Sequence, residues 1–179
     1  MSDEMTASTA AEIKWEGKYI TVRQQGTWEY VSRSRGIRAA VILAIDESAE
    51  DGPQLILVEQ YRVPLGRQSL ELPAGLVGDA DSPAGEEAAT AAIRELEEET
   101  GYRAQAMIDL GDYYSSPGMV SESFSLFRAT GLSRVHDGGG VEGENITVHR
   151  VPVNGVADFV AARRAEGFAI DVKLLIALA

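Results

Sequence analysis

Apolar residues recur along this chain in short runs, each broken by glycine, proline or acidic residues. IKWEGKYITVRQQ and TWEYVSR alternate apolar and polar side chains around Gly17 and Gln25-Gly26, the pattern of a small antiparallel unit. AAVILAI (39–45) and QLILVEQYR (54–62) are rich in β-branched residues and flank EDGP, which predicts a hairpin. SLELPAGLV (69–77) alternates and then meets Pro-Ala-Gly, a turn. From Ser82-Pro83 to Thr100 the spacing predicts a helix, and Gly101 is a natural residue to end it. MIDLGDYYSS, ESFSLFRAT and NITVHRVPV read as further strands. VADFVAARRAEG reads as an amphipathic helix and DVKLLIALA as another. Strands, one helix, strands, then a helix predict a mixed α/β (α+β) domain rather than a regular βαβ array.

Composition narrows the picture. The 179 residues suit one domain with a small appended unit, placed at residues 1–36, and a main domain at 37–179. Apolar residues make up 45% and charged residues 25%, which suits an ordinary globular core. The formal net charge of −12 argues against nucleic acid as a partner. An anionic small molecule remains possible, because a bound cation inverts the local field. With no cysteine, there is no disulfide, thiolate metal site or cysteine nucleophile. The stretch MSDEMTASTAAE carries no apolar signal-peptide region, and no apolar run reaches the length of a membrane span. No membrane association is expected, and the cytoplasm is the expected location.

The stretch RELEEETGY, from Arg94 to Tyr102, concentrates like charges that repel each other on a helix. At about 100° per residue, Ala88, Ala89, Ala92, Ile93 and Leu96 form one apolar stripe. Glu87, Thr90 and Glu97 lie away from it and are expected in solvent. Glu95 and Glu99 are stacked one turn apart at its border. Two carboxylates half-sunk beside a core are costly without a positive charge between them. A hard divalent cation meets that need, since Mg²⁺ takes one or two protein carboxylates, waters and phosphate oxygens. Glu98 is placed to bind a second ion or hold a metal-bound water, and Arg94 to orient its neighbours.

These residues resemble a known family. Arg94-Glu95-Leu96-Glu97-Glu98-Glu99-Thr100-Gly101-Tyr102 matches the core of the Nudix box, REUxEExGU, at every fixed position, and Glu86 matches eight residues upstream. The box also has a glycine six residues before that glutamate, where this chain has Ala80. Gly75 stands eleven residues before Glu86, which implies five extra residues in the loop 78–85. The resemblance implies a Nudix α/β/α sandwich with a mixed sheet, carrying a small N-terminal antiparallel β unit. It also implies hydrolysis of a nucleoside diphosphate linked to another group, with Mg²⁺ or Mn²⁺ neutralising the phosphates and a carboxylate taking the proton.

The flanking residues resemble the ADP-ribose and nucleoside-diphosphate-sugar pyrophosphatases of that family. Arg62 in VEQYR matches an arginine that contacts phosphate, and Ala74 in ELPAG matches a position whose backbone carbonyl binds metal. The metal set implied is Ala74, Glu95, Glu98, Glu99 and Glu144. Pro117 and Gly118 in SSPG match the marker of the subgroup, sixteen residues beyond Gly101 for the proline. Trp28, Glu29 and Arg33 in TWEYVSR resemble the adenine-contacting segment, with Trp28 stacking and Glu29 making an edge contact. Glu142 and Glu144 lie in the glycine-rich loop DGGGVEGE, where relatives carry catalytic carboxylates. By position Glu142 is assigned as base and Glu144 as its metal-linked partner, although relatives differ in the order. Glu98 and Arg94 complete the catalytic set. The substrate implied is ADP-ribose or a related ADP-sugar, cleaved to AMP and ribose 5-phosphate. The alternatives are another nucleotide sugar such as GDP-mannose, or a nucleotide-sensing module without turnover. Relatives pair through the N-terminal unit, so a homodimer is expected.

Overall fold

The computed structural model describes residues 10–34, 37–78, 86–141 and 143–178. The polar tail, much of the loop 78–85 and Glu142 therefore lie outside the described residues.

The N-terminal unit is a three-stranded antiparallel sheet of β1 (Glu12–Glu16), β2 (Ile20–Gln25) and β3 (Trp28–Arg33). It is tied to the rest of the chain at one edge. The Val31 amide donates to the Met119 carbonyl and the Ser121 amide to the Val31 carbonyl, both at 2.9 Å. The Arg33–Glu122 ion pair at 2.6 Å closes the same seam.

The main sheet is mixed, as expected. Its strands are β4 (Arg38–Asp46), β5 (Gln54–Arg62), β6 (Arg67–Glu71), β7 (Ala74–Val77), β9 (Ala106–Tyr114), β10 (Ser123–Thr130), β12 (Thr147–Pro152) and β13 (Ala169–Ile170). The short β8 (Tyr102–Arg103) and β11 (Ser133–Arg134) pair with each other. β4 runs parallel to β10 and β6 parallel to β13, while the other pairings are antiparallel. The hairpin expected between β4 and β5 forms, but only Ile45–Leu55 and Asp46–Gln54 pair. Beyond them β4 turns to β7 and β5 turns to β6 and β12. The splayed strands open the space that becomes the site.

Alternate residues of the apolar runs serve two cores. Ala40, Ile42, Ala44 and Ile56 pack with Ala92, Leu96 and Tyr102 beneath the helix α1 (Ala88–Thr100). Val41, Leu55 and Leu57 pack with Leu70, Val156, Val160 and Leu174 beneath α2 (Val156–Ala165) and the C-terminal turn. Burial on both faces explains why AAVILAI and QLILVEQ read as continuous apolar runs rather than alternating ones. Leu96 has no exposed surface, and truncating such a leucine to alanine costs about 2–5 kcal/mol.

Two helix expectations need correction. α1 begins at Ala88, with Glu87 still extended at φ −73° and ψ 144°, later than expected, and Ser82-Pro83 lies outside the described residues. The C-terminal stretch forms a 3₁₀ helix over Val172–Leu178 rather than an α-helix. Asp171 sets this tighter turn by accepting the amide of Lys173 on its side chain and that of Leu174 on its carbonyl. Among the described residues no helix is long and apolar enough to cross a membrane.

Candidate active site

The face of α1 that carries the carboxylates is organised by Arg94. Its guanidinium donates to both oxygens of Glu86 at 3.2 Å, to Glu95 at 2.9 Å and to Glu98 at 3.1 Å. Glu86 is almost wholly buried, its side chain only 2% exposed, so this fork neutralises a carboxylate that water does not reach. Glu97 pairs with exposed Arg103 rather than Arg94, and is half-buried in that ion pair instead of simply solvated. The helix ends where Gly101 takes a left-handed conformation at φ 73°, with its amide bonded to Glu97.

Glu99 is held from the other side. It is 5% exposed, and its Oε2 accepts the Ala74 amide at 3.0 Å. Burial pushes its carboxyl up to about 8, against the pull of the Ala74 amide and with added repulsion from Glu95 and Glu144. Burial also raises Glu95, with Arg94 opposing the shift and Glu98 and Glu144 adding to it. Gly75 makes room for this arrangement. A Cβ there would lie 1.8 Å from Glu95 Cδ, so only glycine lets the strand come this close to the helix.

Glu95, Glu99 and Glu144 line one cavity of about 730 Å³ together with Ala74, Gly75, Arg62 and Arg33. Arg62 reaches Glu71 with two parallel hydrogen bonds at 2.8 Å. Burial alone would raise Glu71, but the bonds and charge of Arg62 hold it below the usual carboxylate range. A second groove of about 370 Å³ is lined by Gln25, Trp28, Tyr30, Pro117, Gly118, Val120 and Ser121, the last of these next in sequence to the cavity-lining Glu122. Trp28 is 64% exposed there, so its ring is available to a flat ligand.

A family model described as the NUDIX domain matches residues 35–167. The chain belongs to the Nudix family. It is 39% identical over 95 residues to an ADP-ribose pyrophosphatase of Bacillus subtilis, covering 53% of this chain and 46% of that one. It is 34% identical over 153 residues to a GDP-mannose pyrophosphatase of Cronobacter sakazakii, covering 80% and 72%. The chain spans less than two thirds of the length of several curated relatives that it matches, 64%, 63% and 46% among them. A crystal structure of an ADP compounds hydrolase superposes with a TM-score of 0.70 over 99% of this chain and 95% of that one. At 24% identity this likeness speaks to the fold.

The core of the Nudix box, from Arg94 to Tyr102, thus occupies α1 and the residues just beyond it, and the cavity brings most of the expected residues together. Ala74, Glu95, Glu99, Glu144, Arg62 and Arg33 share it, and Trp28, Pro117 and Gly118 share the second groove. Three expectations are met differently. Glu98 does not line the cavity but stands beside Glu95, held by Arg94. Glu29 is exposed on β3 and lines neither space. Glu144 folds back, accepting the Val141 amide at 3.0 Å.

The loop bearing Glu144 grips the end of α1. The amide of Gly139 donates to the Glu99 carbonyl and that of Gly140 to the Glu98 carbonyl, at 2.9 and 3.0 Å. The Ile146 amide closes the neck of the loop on the Gly139 carbonyl. The orphan carbonyls of a helix end are thereby satisfied by the segment that carries the second acidic cluster.

Among the described residues no three acidic or histidine side chains already converge as a metal cage. The donor set nevertheless suits a hard divalent cation. Glu95 and Glu99 stand on one wall with Glu144 near enough to repel both. A cation bound there would offset the burial and like-charge repulsion that raise Glu99.

Sequence reasoning missed Glu71 and Glu122, the partners of Arg62 and Arg33. The one signal for Glu71 was its position as a lone carboxylate in the apolar alternation of SLELP.

Proposed function

We propose that the chain hydrolyses the diphosphate of ADP-ribose, or a closely related ADP-sugar, to AMP and ribose 5-phosphate. The observation that carries this reading is one cavity that gathers Glu95, Glu99 and Glu144 with Arg62 and Arg33, together with a groove that holds an exposed indole. Such a layout offers a stacking surface for a base and a polar space for a diphosphate. The resemblance to ADP-ribose pyrophosphatase supports the choice of substrate.

Mg²⁺ or Mn²⁺ would be held by Glu95, Glu99, Glu98, Glu144 and the Ala74 carbonyl, and would supply charge neutralisation at the phosphates. The chain's own residues do the rest. Arg94 keeps Glu95 and Glu98 oriented. Arg62 presents a guanidinium whose fork is steadied by Glu71. Glu142, or Glu144 once it leaves the Val141 amide, accepts the proton of the attacking water. Trp28, Pro117 and Gly118 hold the base, and Arg33 and Glu29 stand on the strand beside it.

We further propose a cytoplasmic homodimer joined through the N-terminal sheet, supported by the exposed Ile13, Trp15 and Tyr19 there. A monomer at micromolar concentration in a sizing experiment would contradict this.

A second reading, GDP-mannose as substrate, is favoured by the relative that matches 80% of this chain. A hydrolysis panel of ADP-ribose, ADP-glucose, GDP-mannose and UDP-glucose decides between them. Preference for ADP-ribose is expected, and preference for a guanine or uracil sugar would overturn the first reading.

A further inference from the structure

Asp171 and Lys173 stand on the wall of the cavity built by the C-terminal segment. β13 fixes that segment, with Ala169 opposite Ser69 and Ile170 opposite Leu70. The Asp171 amide donates to the Leu70 carbonyl at 3.1 Å, and Leu174 is fully buried just beyond. Asp171 then caps the 3₁₀ turn, accepting the Lys173 amide on Oδ1 at 2.7 Å. None of this requires the lysine ammonium.

The ammonium is nevertheless held in place. Lys173 Nζ lies 2.6 Å from Asp171 Oδ2, and the two side chains are only 17% and 19% exposed. It sits 5.9 Å from the centre of the Phe124 ring, which lines the same cavity. A lysine ordinarily carries its head out to water. Here it faces a cavity shared with Arg62, Glu71 and Gln60.

We propose that the Asp171–Lys173 pair binds the hydroxyls of the sugar on the far side of the diphosphate and sets which sugar is accepted. This rests on reading the cavity as a nucleoside-diphosphate-sugar site. A carboxylate beside an ammonium matches a vicinal diol, accepting from one hydroxyl and donating to the next. The paired charges cancel, so the site attracts a neutral polyol better than a phosphate. No described residue of the C-terminal segment lines the Trp28 groove, so the pair and the base groove contact different parts of a ligand.

The test compares ADP-ribose with the methyl ester of ADP, which keeps the diphosphate and lacks the distal sugar. In Lys173→Met the ratio of kcat/KM for ADP-ribose over the methyl ester falls about tenfold, the loss of one charge-assisted hydrogen bond. The fall lies in KM, Lys173→Arg recovers part of it, and the melting temperature stays close to that of the parent. An unchanged ratio, or equal losses on both substrates, would overturn the assignment. Titration with ribose 5-phosphate gives a readout that needs no turnover. The parent binds it and Lys173→Met binds it about tenfold more weakly; no binding, or equal binding, overturns the proposal. If the parent hydrolyses neither nucleotide, the reading of the function fails and this titration alone decides the role of the pair.

Discussion

The Ala74 amide donates to Glu99 Oε2 across 3.0 Å, tying the start of β7 to the last turn of α1. This single bond holds a buried carboxylate against a strand end, with its charge opposed by burial and by Glu95 and Glu144. The strain it implies gives a measurable signature.

Glu99 in the metal-free protein holds its proton up to about pH 8, whereas in the unfolded chain it releases it near about 4.3. Its folded value is raised, so its contribution to stability is full below the unfolded value and is lost as pH rises through the folded one. In a chelator, the melting temperature should therefore fall between about pH 5 and pH 8. Mg²⁺ binding to the ionised form should raise it more at pH 8 than at pH 5. An equal gain at both pH values would show that Glu99 takes no part in binding the ion.

Gly75→Ala places a methyl group against Glu95, within 2 Å of its Cγ and Cδ. Glu95 must move while Arg94 still holds it. Turnover and metal affinity should fall by about 10- to 100-fold, as for other changes just behind metal ligands. Far-ultraviolet circular dichroism should keep its native form. Parent-like Mg²⁺ affinity in this variant would show that Glu95 is not a ligand.

Arg94→Ala strands the buried Glu86 carboxylate as well as freeing Glu95 and Glu98. Because Arg94 is itself partly exposed, the expected loss is about 1–3 kcal/mol, read from urea unfolding. Arg94→Ala combined with Glu86→Leu should regain much of that stability but not the activity. Equal stability of the single and double variants would refute the role given to Glu86.

Trp28→Ala removes the exposed indole from the groove beside Pro117. A base stacked on an aromatic ring contributes about 1–3 kcal/mol. KM for ADP-ribose should rise roughly tenfold with kcat little changed. A fall confined to kcat would place the base elsewhere.

Much of this arrangement is legible in the amino-acid sequence. The alternation of Ala88, Ala92 and Leu96 with Glu95 and Glu99 defined both the buried face and the acidic border of α1. The unbroken apolar runs of β4 and β5 marked strands covered on both sides. What escaped depended on pairings between distant residues. Arg62 and Glu71 meet only because β5 and β6 run antiparallel with a defined register. Arg33 and Glu122 meet only because β3 docks on the segment before β10. The start of α1 is not legible in the local signal of Ser-Pro, because the extended conformation at Glu87 delays the helix to Ala88. Asp171 altered the C-terminal helix through a side-chain hydrogen bond that periodicity does not register.

The most direct measurement is hydrolysis of ADP-ribose in ¹⁸O-labelled water, with and without Mg²⁺, followed by mass spectrometry of the products. Mg²⁺-dependent formation of AMP and ribose 5-phosphate, with one ¹⁸O in one of them, is the predicted result. Turnover that persists in a chelator, or no cleavage of ADP-ribose with Mg²⁺ or Mn²⁺ present, would contradict it.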